Sequence, residues 1–411
     1  MGKMQYAKYI TKGMAYSTRL YRGDLDKGSR LVATMLGKPD RPPVLAQMHD
    51  HAMYMAGVPA KEFYWNAQAH LKALRDVSAY YGLDIPVVVG DVYNIEVEAL
   101  GAKMIYGENS MPTVDFTQPL IKEPKDLLKL KSPNPLRDGR MPYALELARE
   151  QGVGLICAPF SLAVAMRTYP RLIRDMKRDP KFVDDLFNFI INEVHIPYLK
   201  AMRKESGVRV VGGPDAWSAF PNMTPEMGEQ WVLPYTKKLH RAAVRIGIHT
   251  MILASLDYCE ERPEHFDNDM IKKCLDVEAK GGGFPLAILL MGRWQDIDLR
   301  VVRDWSDHQM GFLGPAPITA AVNARLLHDG PIDEIVNVVK RYVDVLGRKG
   351  RFIGFLANIS ADTPPEHVHA AVAAFHQYGE YPIAANLDNL RFEMPKVVPF
   401  DKAENVPVQN R

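Results

Sequence analysis

The sequence predicts an α/β protein closed into a (β/α)8 TIM barrel with an N-terminal helical extension. Three observations carry this expectation. Short apolar runs recur along the chain, each followed by a polar or Gly/Pro loop and then an amphipathic stretch of helical period. The runs are nearly continuous instead of alternating, as in parallel strands covered by helices on both faces. Their number is eight, the count that closes a barrel.

The expected strands are residues 44–48, 85–89, 155–158, 208–212, 250–254, 286–290, 311–313 and 352–357. Between them, "ADTPPEHVHAAVAAFHQYG" predicts a helix with Thr363 as N-cap, Pro364 at its first position, Glu366 closing a capping box and Gly379 ending it. "MTPEMGEQWVLPY" repeats the Thr-Pro-Glu opening at Thr224, Pro225 and Glu226. An open doubly wound sheet is the structural alternative. It would carry a Gly-rich phosphate turn after a strand, whereas Gly281-Gly282-Gly283 precedes one and reads as a turn. The expected layout is an extension over 1–40, the barrel over 41–385 and a tail over 386–411.

Of the 411 residues, 47% are hydrophobic and 24% charged, which is ordinary for a globular chain with a large core. Lys plus Arg number 51 against 49 for Asp plus Glu, so no field favours nucleic acid or an anionic membrane. Three cysteines without a CxxC pair suit a reducing compartment. "MGKMQYAKYITKG" lacks the apolar core of a signal peptide, and the expectation is a cytoplasmic protein acting on a small molecule.

A barrel builds its active site at the C-terminal ends of its strands. There the sequence places His49, Asp50 and His51, then Asp91, Cys157, Asp215 and Trp217, Asp257 and Cys259, and Asn358. His49, Asp91, Asp215 and Asn358 are the catalytic candidates. His51, Tyr54, Trp217 and Asp257 are candidates for binding substrate, and Phe63 and Trp65 for extending an aromatic wall. His49, Asp257 and Cys259 form a candidate metal set, with zinc the metal that such ligands suit. Each has a plainer reading: an Asp after a strand is often a helix cap, and "MYMAGVPAKEFYW" also suits core packing. Cys157 reads as core, His249 sits at the wrong end of its strand, and "IKEPKDLLKLKSPNP" reads as a solvated helix and loop.

Four places, in order along residues 41 to about 375, resemble the uroporphyrinogen decarboxylase superfamily, which includes cobalamin-dependent methyltransferases. They are "RPPVLAQM", "GDVYNIEVEALGAKMIYGENSMP", "CAPFSLAVAMR" with "GGPDAWSAFPNMTPEMGEQWVLPY", and "GRFIGFLANISADTPPEHV". The resemblance implies the barrel. It does not carry the decarboxylase's own chemistry: the arginine-rich stretch after the first strand is replaced by "MHDHAMYMAG". Asp91 matches the second-strand Asp, but the family's Tyr, Ser and His fall on Ala165, Ala216 and Asn358. A tetra-anionic substrate needs cations these positions lack. The His-x-Cys zinc site of the thiol-directed methyltransferases is also missing, since the places read "MILASLD" and "FLANISA".

The remaining branch implies an O-demethylase-type methyltransferase. It would move a methyl group from a small donor, such as an aryl methyl ether, to Co(I) of a corrinoid (cobalamin) carried by a separate corrinoid-binding protein. A decarboxylase or lyase acting on another small acid is the second reading, and a non-catalytic binding barrel the third. A homodimer stays open.

Overall fold

The computed structural model describes residues 30–31, 33–86, 90–253, 267–282, 287–289, 296–311 and 314–404. Eight parallel strands organise it: β1 (Val44–Ala46), β2 (Ile85–Pro86), β3 (Gly154–Leu155), β4 (Val210–Pro214), β5 (His249–Leu253), β6 (Ala287–Leu289), β7 (Ile318–Val322) and β8 (Phe352–Leu356). They form a five-stranded sheet in the order β2-β1-β8-β7-β6 and a three-stranded sheet β3-β4-β5. This is the cyclic order of a barrel, but no ladder joins β2 to β3 or β5 to β6 among the described residues. The architecture is therefore α/β with two parallel sheets, and the expected eight-stranded closure is met only in part.

Each strand end feeds a helix, as parallel connections require. The chain leaves β1 directly into the His49–Met55 helix, which buries Ala52 and Met53. The Ala67–Tyr81 helix follows, capped at its N-terminus by Asn66, whose side chain accepts from the N–H groups of Gln68 and Ala69 at 3.0 and 3.2 Å. Gly82 ends it with φ +71°, a left-handed stop. In β8 every residue is buried. Gly354 must be glycine there, because a Cβ would lie 2.8 Å from the Phe375 ring of the Pro365–Tyr378 helix.

The opposite, N-terminal edge of the larger sheet is built for stability. Asp84, fully buried, accepts from Val44 N at 2.7 Å and Arg41 Nη1 at 2.8 Å and pairs with Arg30. His249 opens β5, at that same kind of strand end, as expected from sequence. Helix covers 30–31 and 33–35, while 1–29 lie outside the described residues.

Several sequence expectations need correction. The seventh strand is Ile318–Val322, not 311–313: Met310–Gly311 pairs antiparallel with Gly314–Pro315 in a small hairpin. A Thr and two Ala dilute the apolar signal of "ITAAV", although all five of its residues are buried. Thr363 does not cap the last long helix. Pro364 is the N-cap and Pro365 the first helical residue, and the buried Thr363 Oγ1 has no hydrogen-bond partner. Thr224 behaves as expected, accepting from Met227 N at 3.3 Å. Gly281 and Gly282 are the last residues of the Asn268–Gly282 helix, not a turn.

Candidate active site

The C-terminal ends of β2 and β3, one from each sheet, meet at a hydrogen bond. Cys157, just past β3, donates its peptide N–H to Glu96 Oε1 at 2.9 Å, and Glu96 belongs to the Ile95–Ala99 helix beyond β2.

At the end of β1, His49 meets two oxygens through Nδ1: the Tyr64 hydroxyl at 2.7 Å and Asp50 Oδ1 at 3.3 Å. The Tyr64 hydroxyl also bonds to Asp50 Oδ1. Among the described residues nothing hydrogen-bonds to His49 Nε2. Burial alone would push the Asp50 carboxyl up. His49, Tyr64 and the Met111 N–H outweigh it, and the carboxyl is held below its usual range. Burial and the nearby Asp50 charge raise Tyr64 far above the ordinary tyrosine value, so its proton stays on. Tyr64 is fully buried, with Phe63 edge-on at 5.0 Å and His70 at 6.1 Å.

His51 differs in kind. It is fully buried, with Nε2 bonded to the Tyr81 hydroxyl at 2.6 Å and Nδ1 facing the Ser360 and Ala361 carbonyls at 3.2 Å each. Burial lowers it to about 4, so it is a neutral imidazole donating from Nδ1 and accepting at Nε2. Both nitrogens are occupied within the protein. It bolts the first strand-end helix to the loop after β8.

The acids of the neighbouring strand ends are sealed. Asp91 pairs with Arg140, itself fully buried and bonded to Glu98 Oε2 at 2.5 Å, and accepts from Asn94 Nδ2 at 2.6 Å. Burial pushes the Asp91 carboxyl up, and Arg140 and Asn94 pull it back without cancelling the rise. Asp215, after β4, has no exposure; its Oδ1 accepts from Ser161 Oγ at 2.6 Å and Ser161 N at 2.9 Å, while Oδ2 is buried without a partner. Burial raises it to about 6. Glu96 is raised to about 8 by burial, and its Oε2 also lacks a partner. A cavity of about 30 Å³, room for a water or two, lies beside Asp91 against Tyr143 and Gln151. A groove of about 940 Å³ between Pro124–Lys129 and Pro180–Phe189 is lined by none of the candidate residues.

Asn358 follows β8 with φ +43°, a left-handed backbone uncommon outside glycine and tolerated by Asn. Such outliers cluster where function holds the chain. Trp217 is half-buried, stacked on Tyr169 at 5.5 Å and edge-on to Phe116 at 6.3 Å. Tyr54 is 51% exposed and Trp65 46%, whereas Phe63 is core, 4.0 Å from the His70 ring. Cys157 is core, as expected. Asp257 and Cys259 lie outside the described residues, so His49 is the one member of the expected metal set with a described position. Among the described residues no group of three or more His, Cys, Asp or Glu is placed to hold a metal.

Sequence reasoning missed Tyr64, Arg140, Glu96 and Ser161 as members of this region. Asp91, Asn94 and Glu98, at spacings of three and four, carried a readable signal: one polar stripe that needs a cation. Tyr64 and Arg140 come from elements too distant for any spacing rule.

The family model for uroporphyrinogen decarboxylase (URO-D) matches residues 26–257, more than half of the chain. The chain belongs to the uroporphyrinogen decarboxylase family. No curated protein matches it in a sequence search. Among solved structures it is similar to a methyltransferase from Methanosarcina mazei, with a TM-score of 0.64 and 20% identity over 85% of this chain and 98% of that one. At that identity the likeness is one of fold. Arg140, the guanidinium beside the strand-end acids, is sealed between Asp91 and Glu98, and His49 occupies the end of β1. No helix among the described residues is long and apolar enough to cross a membrane.

Proposed function

We propose that the chain is a methyltransferase that takes a methyl group from a small donor, an aryl methyl ether, and passes it in the cytoplasm to Co(I) of a separate corrinoid protein. The observation that carries this reading is His49. It stands at a strand end with Nδ1 anchored and Nε2 without a partner among the described residues, where a decarboxylase of this family would present arginines to its substrate's carboxylates.

The corrinoid, bound to its own protein, supplies the nucleophile for the methyl carbon. This chain must offer that group only an open face, which suits exposed rings such as Tyr54 in the helix that follows β1. What the chain's own residues do is help the leaving group. An aryl oxide is a poor one, with a conjugate acid near pKa ~10 if it resembles tyrosine. A protonated His49 gives its Nε2 proton to the ether oxygen as the carbon–oxygen bond breaks, leaving a phenol and a neutral imidazole. Asp50 offsets the imidazolium charge meanwhile. One such interaction in a water-poor site contributes about 3–4 kcal/mol. Trp217 and Tyr54 hold the ring by apolar contact, and Asn358 bonds the phenol oxygen or its neighbour.

The test is anaerobic incubation of the purified chain with reduced corrinoid protein and a panel of aryl methyl ethers, following the cobalt spectrum and phenol release. Phenol formed only when both proteins are present supports the reading. Carbon dioxide released from a small acid without any corrinoid protein replaces it with the decarboxylase alternative.

A further inference from the structure

Resting on the methyl-transfer reading for its purpose but not for its geometry, one further role follows from the β1 corner. We propose that Tyr64 is a positioning residue for His49: it fixes which ring nitrogen faces outward, and Asp50 fixes Tyr64 in turn.

A phenol has one proton, and the Tyr64 hydroxyl lies between Asp50 Oδ1 and His49 Nδ1. Given to the carboxylate, that proton leaves the phenol oxygen as an acceptor, 2.7 Å from Nδ1. Nδ1 then faces two oxygens that can only accept, the second being Asp50 Oδ1 at 3.3 Å, so Nδ1 carries hydrogen. The neutral ring is therefore the Nδ1–H tautomer, with its lone pair on Nε2. When the ring takes up a proton, it sits on Nε2, the atom without a partner among the described residues. A histidine lacking this pin divides itself between two tautomers and two ring flips, and only part of the population would present the reactive atom.

Tyr64 is suited to the role because it cannot move. Its ring is fully buried, wedged edge-on between Phe63 at 5.0 Å and 76° and His70 at 6.1 Å and 73°. Tyr64→Phe would leave that packing intact and remove only the hydroxyl. Asp50, at 24% side-chain exposure, can be changed to Asn without disturbing the core.

The experiment is 15N NMR of His49 in the resting full-length protein at alkaline pH, with neither donor nor partner present, on wild type, Tyr64→Phe and Asp50→Asn. The expected result is an Nδ1–H tautomer in wild type and a mixture in Tyr64→Phe. In the methyl-transfer assay Tyr64→Phe should lower kcat about tenfold with KM unchanged, and Asp50→Asn should lower it in the same sense. An Nε2–H tautomer in wild type overturns the proposal. So does a tautomer untouched by both substitutions in folded protein. If the tautomers behave as expected but wild type turns over no ether, the positioning stands and only the methyl-transfer reading falls.

Discussion

His49 and His51 are two residues apart on one short helix, yet their side chains meet opposite fates. His49 is anchored through one nitrogen and leaves the other without a partner among the described residues; His51 has both nitrogens bonded and no exposure. The same contrast separates the β1 corner from the sealed acids beyond β2 and β4. A polar residue at a strand end becomes a tool only if one of its atoms is left over and reachable. Where its atoms are bonded or shut away from water, the residue holds the fold.

The largest effect that would test this division is in the sealed region. Arg140→Leu strands Asp91 and Glu98 and should cost about 3–5 kcal/mol, the range for removing one partner of a buried pair. Chemical denaturation measures it, and a loss below about 1 kcal/mol would mean that the acids are not sealed. Next comes the histidine pair. His51→Ala should destabilise by about 2–4 kcal/mol, since it leaves the Tyr81 hydroxyl and two carbonyls unpaired. His49→Ala should leave stability nearly unchanged and slow ether demethylation about a hundredfold. Thermal melts beside rate measurements separate the two, and interchanged results would reverse the roles of the two histidines.

A smaller effect concerns Asp215. Its folded carboxyl, near 6, lies above the ordinary Asp value of 3.8, so the fold favours the protonated form. Its contribution to stability is complete below the ordinary range and lost as pH rises through about 6. Asp215→Asn should remove that loss, gaining up to about 3 kcal/mol relative to wild type between pH 4 and 7. Parallel curves across that interval would show that Asp215 does not titrate there. The smallest effect belongs to the open rim: Tyr54→Ala, at a half-exposed ring, should change stability by less than about 0.5 kcal/mol while raising KM for an aryl donor.

Sequence made the parallel α/β plan legible because buried strands such as 352–356 are apolar throughout and helices such as Thr224's carry their own start signals. It misled where tertiary packing overrides composition. Ile318–Val322 is a strand on the strength of its neighbours β6 and β8, and Thr363 lies one residue too early to cap. For the site, strand ends pointed to a set of polar candidates without showing which would keep an unpartnered atom. Whether His49, His51, Asp91 or Asp215 is left with an unpartnered atom depends on Tyr64, Tyr81, Arg140 and Ser161, none of which is near its partner in sequence.

The bond from the Cys157 amide to Glu96 gives the joint between the two sheets an unusual reporter. Most amides at such a place are shielded by the next strand's carbonyl, and their solvent exchange waits for a strand to lift. This one is held by a buried carboxyl side chain instead, so its exchange waits for the packing around Glu96 to open. Its deuterium uptake is thus a clock for the breathing of the seam between β2 and β3, read at one proton, while uptake within β4 and β8 keeps the slower time of the whole fold.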